Sequence, residues 1–197
     1  LFHYSIWKDM ARPKQFDIDA TVAAAVGVFR DHGYEGTSAQ MLVDAMGIGR
    51  QSLYDTFGDK WGIYCAALRQ YCQQEVSAHV TALAHAPRAI DGIRAMLERV
   101  VADAAAGCMG IGSVVEFGCA RPELVRIRDS FGVVLARAMT DALHRARQQG
   151  DLGADIAIDP LATFLLQTIS SIRLAARAGA SADHVAAMIP FAMRALG

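Results

Sequence analysis

Proline is scarce, five in 197 residues. Proline costs roughly 3 kcal/mol inside a helix, so its rarity leaves room for long helices. Long apolar runs are missing as well. No stretch approaches the roughly 18–20 residues needed to span a bilayer, so no membrane partner is expected. The four cysteines, Cys65, Cys72, Cys108 and Cys119, make no Cys-x-x-Cys pair and show no zinc-ligand spacing. No metal or cofactor is expected from them. They read as buried apolar thiols, although Cys65 and Cys72, seven apart on one helix face, leave a redox pair as the sharper alternative. Charge of one sign is also lacking, with 19 Lys and Arg against 20 Asp and Glu. That balance argues against an indiscriminate polyanion binder. Any DNA contact has to come from a local cationic patch.

What is present is core material: 53% hydrophobic and 20% charged residues, a composition that excludes extended disorder. Alanine, the best helix former, is abundant. The length suits one large domain or a small one joined to a medium one. Residues 1–9 have no signal-peptide organisation. Met10 with Ala-Arg-Pro-Lys has the form of a natural start, so residues 1–9 read as an upstream extension or artificial remnant. A cytoplasmic protein is expected.

Helical spacing begins at about Asp17 and runs to His32, with Ile18, Val22, Ala25, Val26 and Phe29 on one face. Asp17 can cap it and Gly33 ends it. A short helix, Ala39 to Met46, follows a cap at Thr37 or Ser38. A second, from Gly49 or Arg50 to Phe57, comes after Met46-Gly47-Ile48-Gly49. Two short helices at a tight glycine turn, behind a longer one, form a helix-turn-helix signature. Further helices are expected over about 60–83, 87–106, 107–118, 122–149, 159–178 and 181–196. This predicts an all-α protein of about nine helices with no strand.

Catalytic patterns are absent. There is no Gly-x-Ser-x-Gly, no phosphate loop and no paired-carboxylate motif. Glu75 and His79 are four apart, but the Glu-x-x-His repeats of di-iron bundles are missing. The chain is not expected to be an enzyme. An all-helical enzyme and a helical dimer that binds a protein partner are the rival readings.

The order Phe29, Gly33, Tyr34, Thr37, Ser38, Gly47, Ile48, Gly49, Leu53, Tyr54, Phe57, Lys60 resembles the DNA-binding domain of the TetR family across Phe16 to Leu68. Gly107-Cys108-Met109, Glu116, the proline-led helix at Pro122 and the closing segment resemble one broad subgroup more loosely. The resemblance implies a helix-turn-helix DNA-binding domain at 10–62 and a helical ligand-binding and dimerisation domain at 63–197. It also implies a homodimer that binds a palindromic double-stranded operator as a repressor and is released by a small-molecule inducer. The chain departs from many relatives at Gly49, where a Ser or Thr hydroxyl would hold a phosphate, and Asp55 and Asp59 add negative charge nearby.

The same resemblance places the helix from Gly49 to Phe57 in the major groove. Its outer residues are Arg50, Gln51, Ser52, Tyr54 and Asp55. Arg can pair with guanine and Gln with adenine; a solvated helix face is the plainer alternative. Tyr54 and Lys60 are candidate phosphate contacts. Thr37 and Ser38 can cap the second helix and present its amides to the backbone. Arg12 and Lys14 lie on an arm that can reach the minor groove. Leu161, Leu165, Thr168 and Ile172, with Val185, Met188, Ile189 and Ala192, resemble the helix pair that forms the family's dimer bundle. Met96, Met109, Val114, Phe117, Phe131, Leu135 and Phe164 can line a ligand pocket or simply form core. Glu116, amid apolar residues, needs a partner: an arginine or a cationic ligand.

Overall fold

The computed structural model describes residues 16–197, so the arm residues Arg12 and Lys14 lie outside the described residues. Helix α1 is Ile18–His32, α2 Ala39–Met46, α3 Arg50–Phe57 and α4 Lys60–His85. Then come α5 Ala89–Ala102, a 3-10 turn Ala104–Ala106, α6 Met109–Phe117 and α7 Pro122–Gln148. The chain closes with α8 Ile158–Arg177, α9 Ala182–Ala186 and α10 Met188–Arg194. No strand occurs among the described residues. The nine-helix course holds, with its last member divided into α9 and α10. Pro190 has no N–H to return to the Ala186 carbonyl, so the helix restarts there.

The caps are local and polar. The Asp17 side chain accepts from the amides of Asp19 and Ala20, Asp59 from Gly62 and Ser181 from His184. Each satisfies amides that have no partner within the helix. Of Thr37 and Ser38, only Ser38 caps α2, accepting from Met41 N.

Three apolar clusters hold the described residues, two of them large and a small third of Val100, Ala104, Ile172 and Val185. The first joins the inner faces of α1, α2 and α3 (Val22, Phe29, Leu42, Leu53) to the first half of α4 (Ile63, Tyr64, Leu68). It also takes in Met109 of α6 and Leu124 and Ile127 of α7. The second gathers Leu83, Leu97, Met139, Leu143, Leu165 and Leu196. Helix α4 runs through both, so packing continues past residue 62.

Two expectations are corrected by burial. Met96 is fully buried in the second cluster and lines neither of the two cavities among α1, α4, α6, α7 and α8. Leu161, Leu165, Thr168, Ile172, Val185, Ile189 and Ala192 are buried inside one protomer, and Met188 is half-buried. That stripe is the protomer's own core. The most apolar face of an amphipathic helix turns to the nearest core, and here the chain supplies it. The outward faces of α8 and α10 instead carry Phe164, Leu174 and Phe191, which are 48%, 56% and 67% exposed.

Candidate nucleic-acid interface

Helices α2 and α3 meet at Gly47, whose φ of 65° and ψ of 24° are left-handed. Ile48 is buried and pins the turn to the core. Leu42 and Leu53 have no exposed surface, so both helices are fixed from beneath. On α3 this leaves Arg50, Gln51, Ser52, Tyr54 and Asp55 outward, with Tyr54 36% exposed. Gly49 caps α3 without a side-chain bond, leaving amides at that end available to an anion. Gln51 Nε2 donates to Asp55 Oδ1 at 2.8 Å. Its amide has to leave Asp55 before it can read a base.

Two expected contacts turn inward. The Thr37 hydroxyl is buried and donates to Gly33 O at 2.6 Å, so it cannot reach a phosphate. Lys60 Nζ donates to Thr37 O at 2.7 Å and stands 4.3 Å above the Tyr34 ring. Its placement clamps the start of α4 to the turn before α2, and its ammonium does not face solvent freely.

Behind the head, α6 is bonded to that same turn. Both Glu116 oxygens accept from Tyr34 N–H, at 3.1 and 2.9 Å. Glu116 is exposed, so its partner is a backbone amide and not the expected arginine or cationic ligand. Gly33 has a φ of 69°, and a methyl group there would sit in the Glu116 carboxylate. With ψ at −176°, Gly33 holds a conformation that essentially only glycine adopts, so Gly33→Ala should cost more than Gly47→Ala, whose turn is left-handed and where the space is open. Removing Glu116 in Gly33→Ala/Glu116→Ala should lower the loss but leave it above that of Gly47→Ala, because the backbone strain at Gly33 remains. Urea midpoints of the four proteins check this, and identical losses for the two glycine variants would refute it.

Phe117, expected in a pocket, packs instead in an aromatic cluster. Its ring centroid lies 5.5 Å from Tyr34, 5.4 Å from Trp61 and 5.6 Å from Tyr64. Trp61 Nε1 donates to Glu123 Oε2 at 3.1 Å. These rings join the head to α6 and α7.

Deeper in, a charged network ties four helices. Arg173 of α8 donates to Glu75 Oε2 of α4 at 2.6 Å and to Asp103 at 3.4 Å. Arg99 of α5 donates to both Glu75 oxygens, at 3.3 and 3.0 Å. Arg30 of α1 donates to Asp103 at 3.0 Å and to Gly107 O at 2.9 Å. His79 stands beside Arg99, with Nη2 3.2 Å from Nε2. Burial, and then the Arg99 charge, lower the His79 pKa to about 4 in spite of Glu75. The unfolded chain takes up a proton near pH 6.5 that the folded chain refuses until about pH 4. The ring's contribution is complete above pH 6.5 and is lost as pH falls towards 4. Between pH 7 and pH 5 the urea midpoint should fall further in the wild type than in His79→Gln. Parallel pH curves would show that the ring is not held neutral.

Two cavities adjoin this network. One, about 180 Å³, lies between α1, α4, α6 and α8 and is lined by Arg30, Met109, Glu116 and Arg177 among others. The other, about 290 Å³ and open to solvent on one side, lies among α4, α6, α7 and α8, with Val114, Phe131 and Leu135 on its wall. Phe164 reaches neither and faces outward. Burial pushes the Cys65 and Cys72 thiols up to about 12, so both are protonated at neutral pH and poor nucleophiles.

Residues 22–67 match the model of "Bacterial regulatory proteins, tetR family". Over 183 residues the chain is 35% identical to the uncharacterized HTH-type transcriptional regulator YezE of Bacillus subtilis, covering 89% of this chain and 94% of that one. The chain belongs to the TetR family. It is 28% identical over 184 residues to the HTH-type transcriptional repressor ComR of Escherichia coli, covering 90% of this chain and 88% of that one. Among solved structures it superposes on the TetR-family regulator CifR, a cysteine mutant bound to operator DNA, with a TM-score of 0.76 and 30% identity. That match covers 94% of this chain and 100% of CifR.

As a TetR-family protein, the chain is a sequence-specific DNA-binding transcriptional regulator. No helix among the described residues is long and apolar enough to cross a membrane. The outer residues of α3 stand together on one exposed face, as their spacing implies. Arg30, Tyr71, Arg99, Asp103 and Arg173 around the cavities went unnoticed in sequence. Their only signal was the Glu75 and His79 pair, too slight to reveal the partners on α5 and α8.

Proposed function

We propose that this chain is a homodimeric repressor that holds a palindromic operator and releases it when a small molecule enters the larger cavity. The observation that carries this reading is the outward face of α3. Arg50, Gln51, Ser52 and Tyr54 project from a helix whose underside is locked into the core. Such a rigid, donor-rich face suits the major groove. Ser38 and the Gly49 end of α3 offer amides to phosphates, while Thr37 and Lys60 hold the head from inside. The reading needs no catalytic residue, since it is a population shift between head spacings. It places the protein in the cytoplasm. We divide the labour between a reading head at 10–62 and a sensing and dimerising body at 63–197. Helix α4, the Glu116–Tyr34 bonds and the Arg30–Asp103 pair carry the coupling between them.

The test is selection of binding sites from a random double-stranded library, with a salt series. Enrichment of an inverted repeat supports the reading. No enrichment at low salt from a folded dimer would overturn it.

The dimer surface in this reading is the outer side of α8 and α10, where Phe164, Leu174 and Phe191 meet water. Large exposed apolar groups on neighbouring helices suit a self-complementary contact. Phe164→Glu/Phe191→Glu should halve the mass in sedimentation equilibrium and keep the helical signal. Leu165→Ala, a change inside the protomer, should instead lower thermal stability by about 2–5 kcal/mol and leave a dimer. A dimeric double variant would move the interface elsewhere.

A further inference from the structure

Resting on the reading of the α4–α6–α7–α8 cavity as the sensor, we propose that its ligand is a small apolar acid whose carboxylate pairs with Arg128. The cavity wall is largely hydrocarbon, from Val76, Ile111, Val114, Phe131, Leu135 and Ile169. An apolar body is therefore the natural occupant. The charged groups on the wall decide the rest.

Glu75 is the only carboxylate among the lining residues. Both of its oxygens already accept from guanidinium groups, of Arg99 and of Arg173. A cationic ligand would have to displace one of them and leave a buried arginine charge uncompensated, which is strongly unfavourable. Arg173 is itself satisfied by Glu75 and Asp103.

Arg128 differs. Its guanidinium donates to the Ser113 hydroxyl at 3.2 Å and to the Gly118 carbonyl at 2.7 Å, both neutral acceptors. It forms no salt bridge among the described residues. The Tyr71 hydroxyl adds a second unmet need. Tyr71 is 5% exposed, and its hydroxyl lies beside the Cys108 thiol with no oxygen or nitrogen partner among the described residues. A carboxylate supplies a negative charge for Arg128 and acceptor oxygens for donors on the wall, and such charge-assisted bonds are the strong ones.

The other titratable groups facing the cavity do not compete. The Cys72 thiol, pushed up to about 12 by burial, stays protonated. His79, held near 4, is a neutral ring at physiological pH. Among the lining residues two arginines then face one carboxylate, which leaves the wall one positive charge in excess.

The test titrates the full-length dimer with 4-phenylbutyrate, 4-phenylbutanamide and 4-phenylbutylamine by calorimetry. The proteins are the wild type, Arg128→Gln, Arg128→Lys and Leu135→Trp, each checked for fold by circular dichroism. The acid should bind at least tenfold more tightly than the amide, and the amine least. Arg128→Gln should abolish the acid's advantage and Arg128→Lys keep part of it. Leu135→Trp should block all three by filling the cavity, and it carries the test of location if Arg128→Gln does not fold. An amine that binds as well as the acid overturns the proposal. So does an acid preference that survives in Arg128→Gln, or no saturable binding of any probe at millimolar concentration. The same titrations with operator DNA separate the two readings. Acid binding in the cavity with unchanged DNA affinity leaves the ligand class standing and removes only the sensor role.

Discussion

Arg50→Ala is expected to weaken operator binding by roughly 30-fold to 10⁴-fold, with the thermal midpoint nearly unchanged. Arg50 opens α3, is exposed, and makes no hydrogen bond or salt bridge among the described residues. Its removal takes nothing from the core. A guanidinium that pairs with the N7 and O6 of guanine is worth about 1–3 kcal/mol. A symmetric dimer presents it twice, so the loss is about 2–6 kcal/mol, the range stated above. Fluorescence anisotropy on the selected operator measures it. Specificity should relax at one base pair of each half-site. If Arg50 instead holds a phosphate, the loss will be uniform across sequences and the salt dependence will weaken by about one counterion per contact. A loss of less than threefold would remove Arg50 from the interface altogether.

The second large effect is expected in the body. Glu75→Leu removes the carboxylate that meets both Arg99 and Arg173. Arg173 is 3% exposed and would keep only Asp103, at 3.4 Å. Breaking a buried pair by deleting one partner costs about 3–5 kcal/mol, because the other charge stays buried and uncompensated. For a chain of this size that is a fall of roughly 6–20 °C in thermal midpoint, measured at fixed protein concentration because a dimer's midpoint depends on it. Adding Arg173→Met should recover a good part of the loss, since buried pairs are often replaceable by apolar groups. A double-mutant cycle isolates the coupling. If Glu75→Leu alone lowers the midpoint by no more than a degree or two, the network is not a structural tie between α4, α5 and α8.

Much of the head was legible before any coordinates. Gly33, Gly47, Leu42, Leu53 and Phe57 act within about thirty residues, and each follows a local rule: a positive φ, a cap or a helical repeat. The choice between Thr37 and Ser38 as the cap could not be resolved locally, because both hydroxyls can accept an amide. Which one turns inward depends on where Gly33 O lies. Lys60 reads as a solvent-facing cation until the Tyr34 ring and the Thr37 carbonyl are brought beneath it.

The body was legible only as helices. Its apolar stripes from Leu161 to Ile172 and from Val185 to Ala192 were visible, but their partner was not. Phe117 and Glu116 read as pocket groups, while in space Phe117 joins an aromatic cluster and Glu116, which does line the smaller cavity, accepts from Tyr34 N–H. Local periodicity and capping, which act over a few residues, determined where the helices lie, which face of each is buried and which side of α3 is outward. Only the tertiary structure decided what each buried face meets, that Glu75, Asp103 and Arg173 share one network, and that Arg128 faces a cavity without a carboxylate of its own. Those facts depend on side chains 15 to 98 positions apart in the chain, and no short-range rule carries information over such separations.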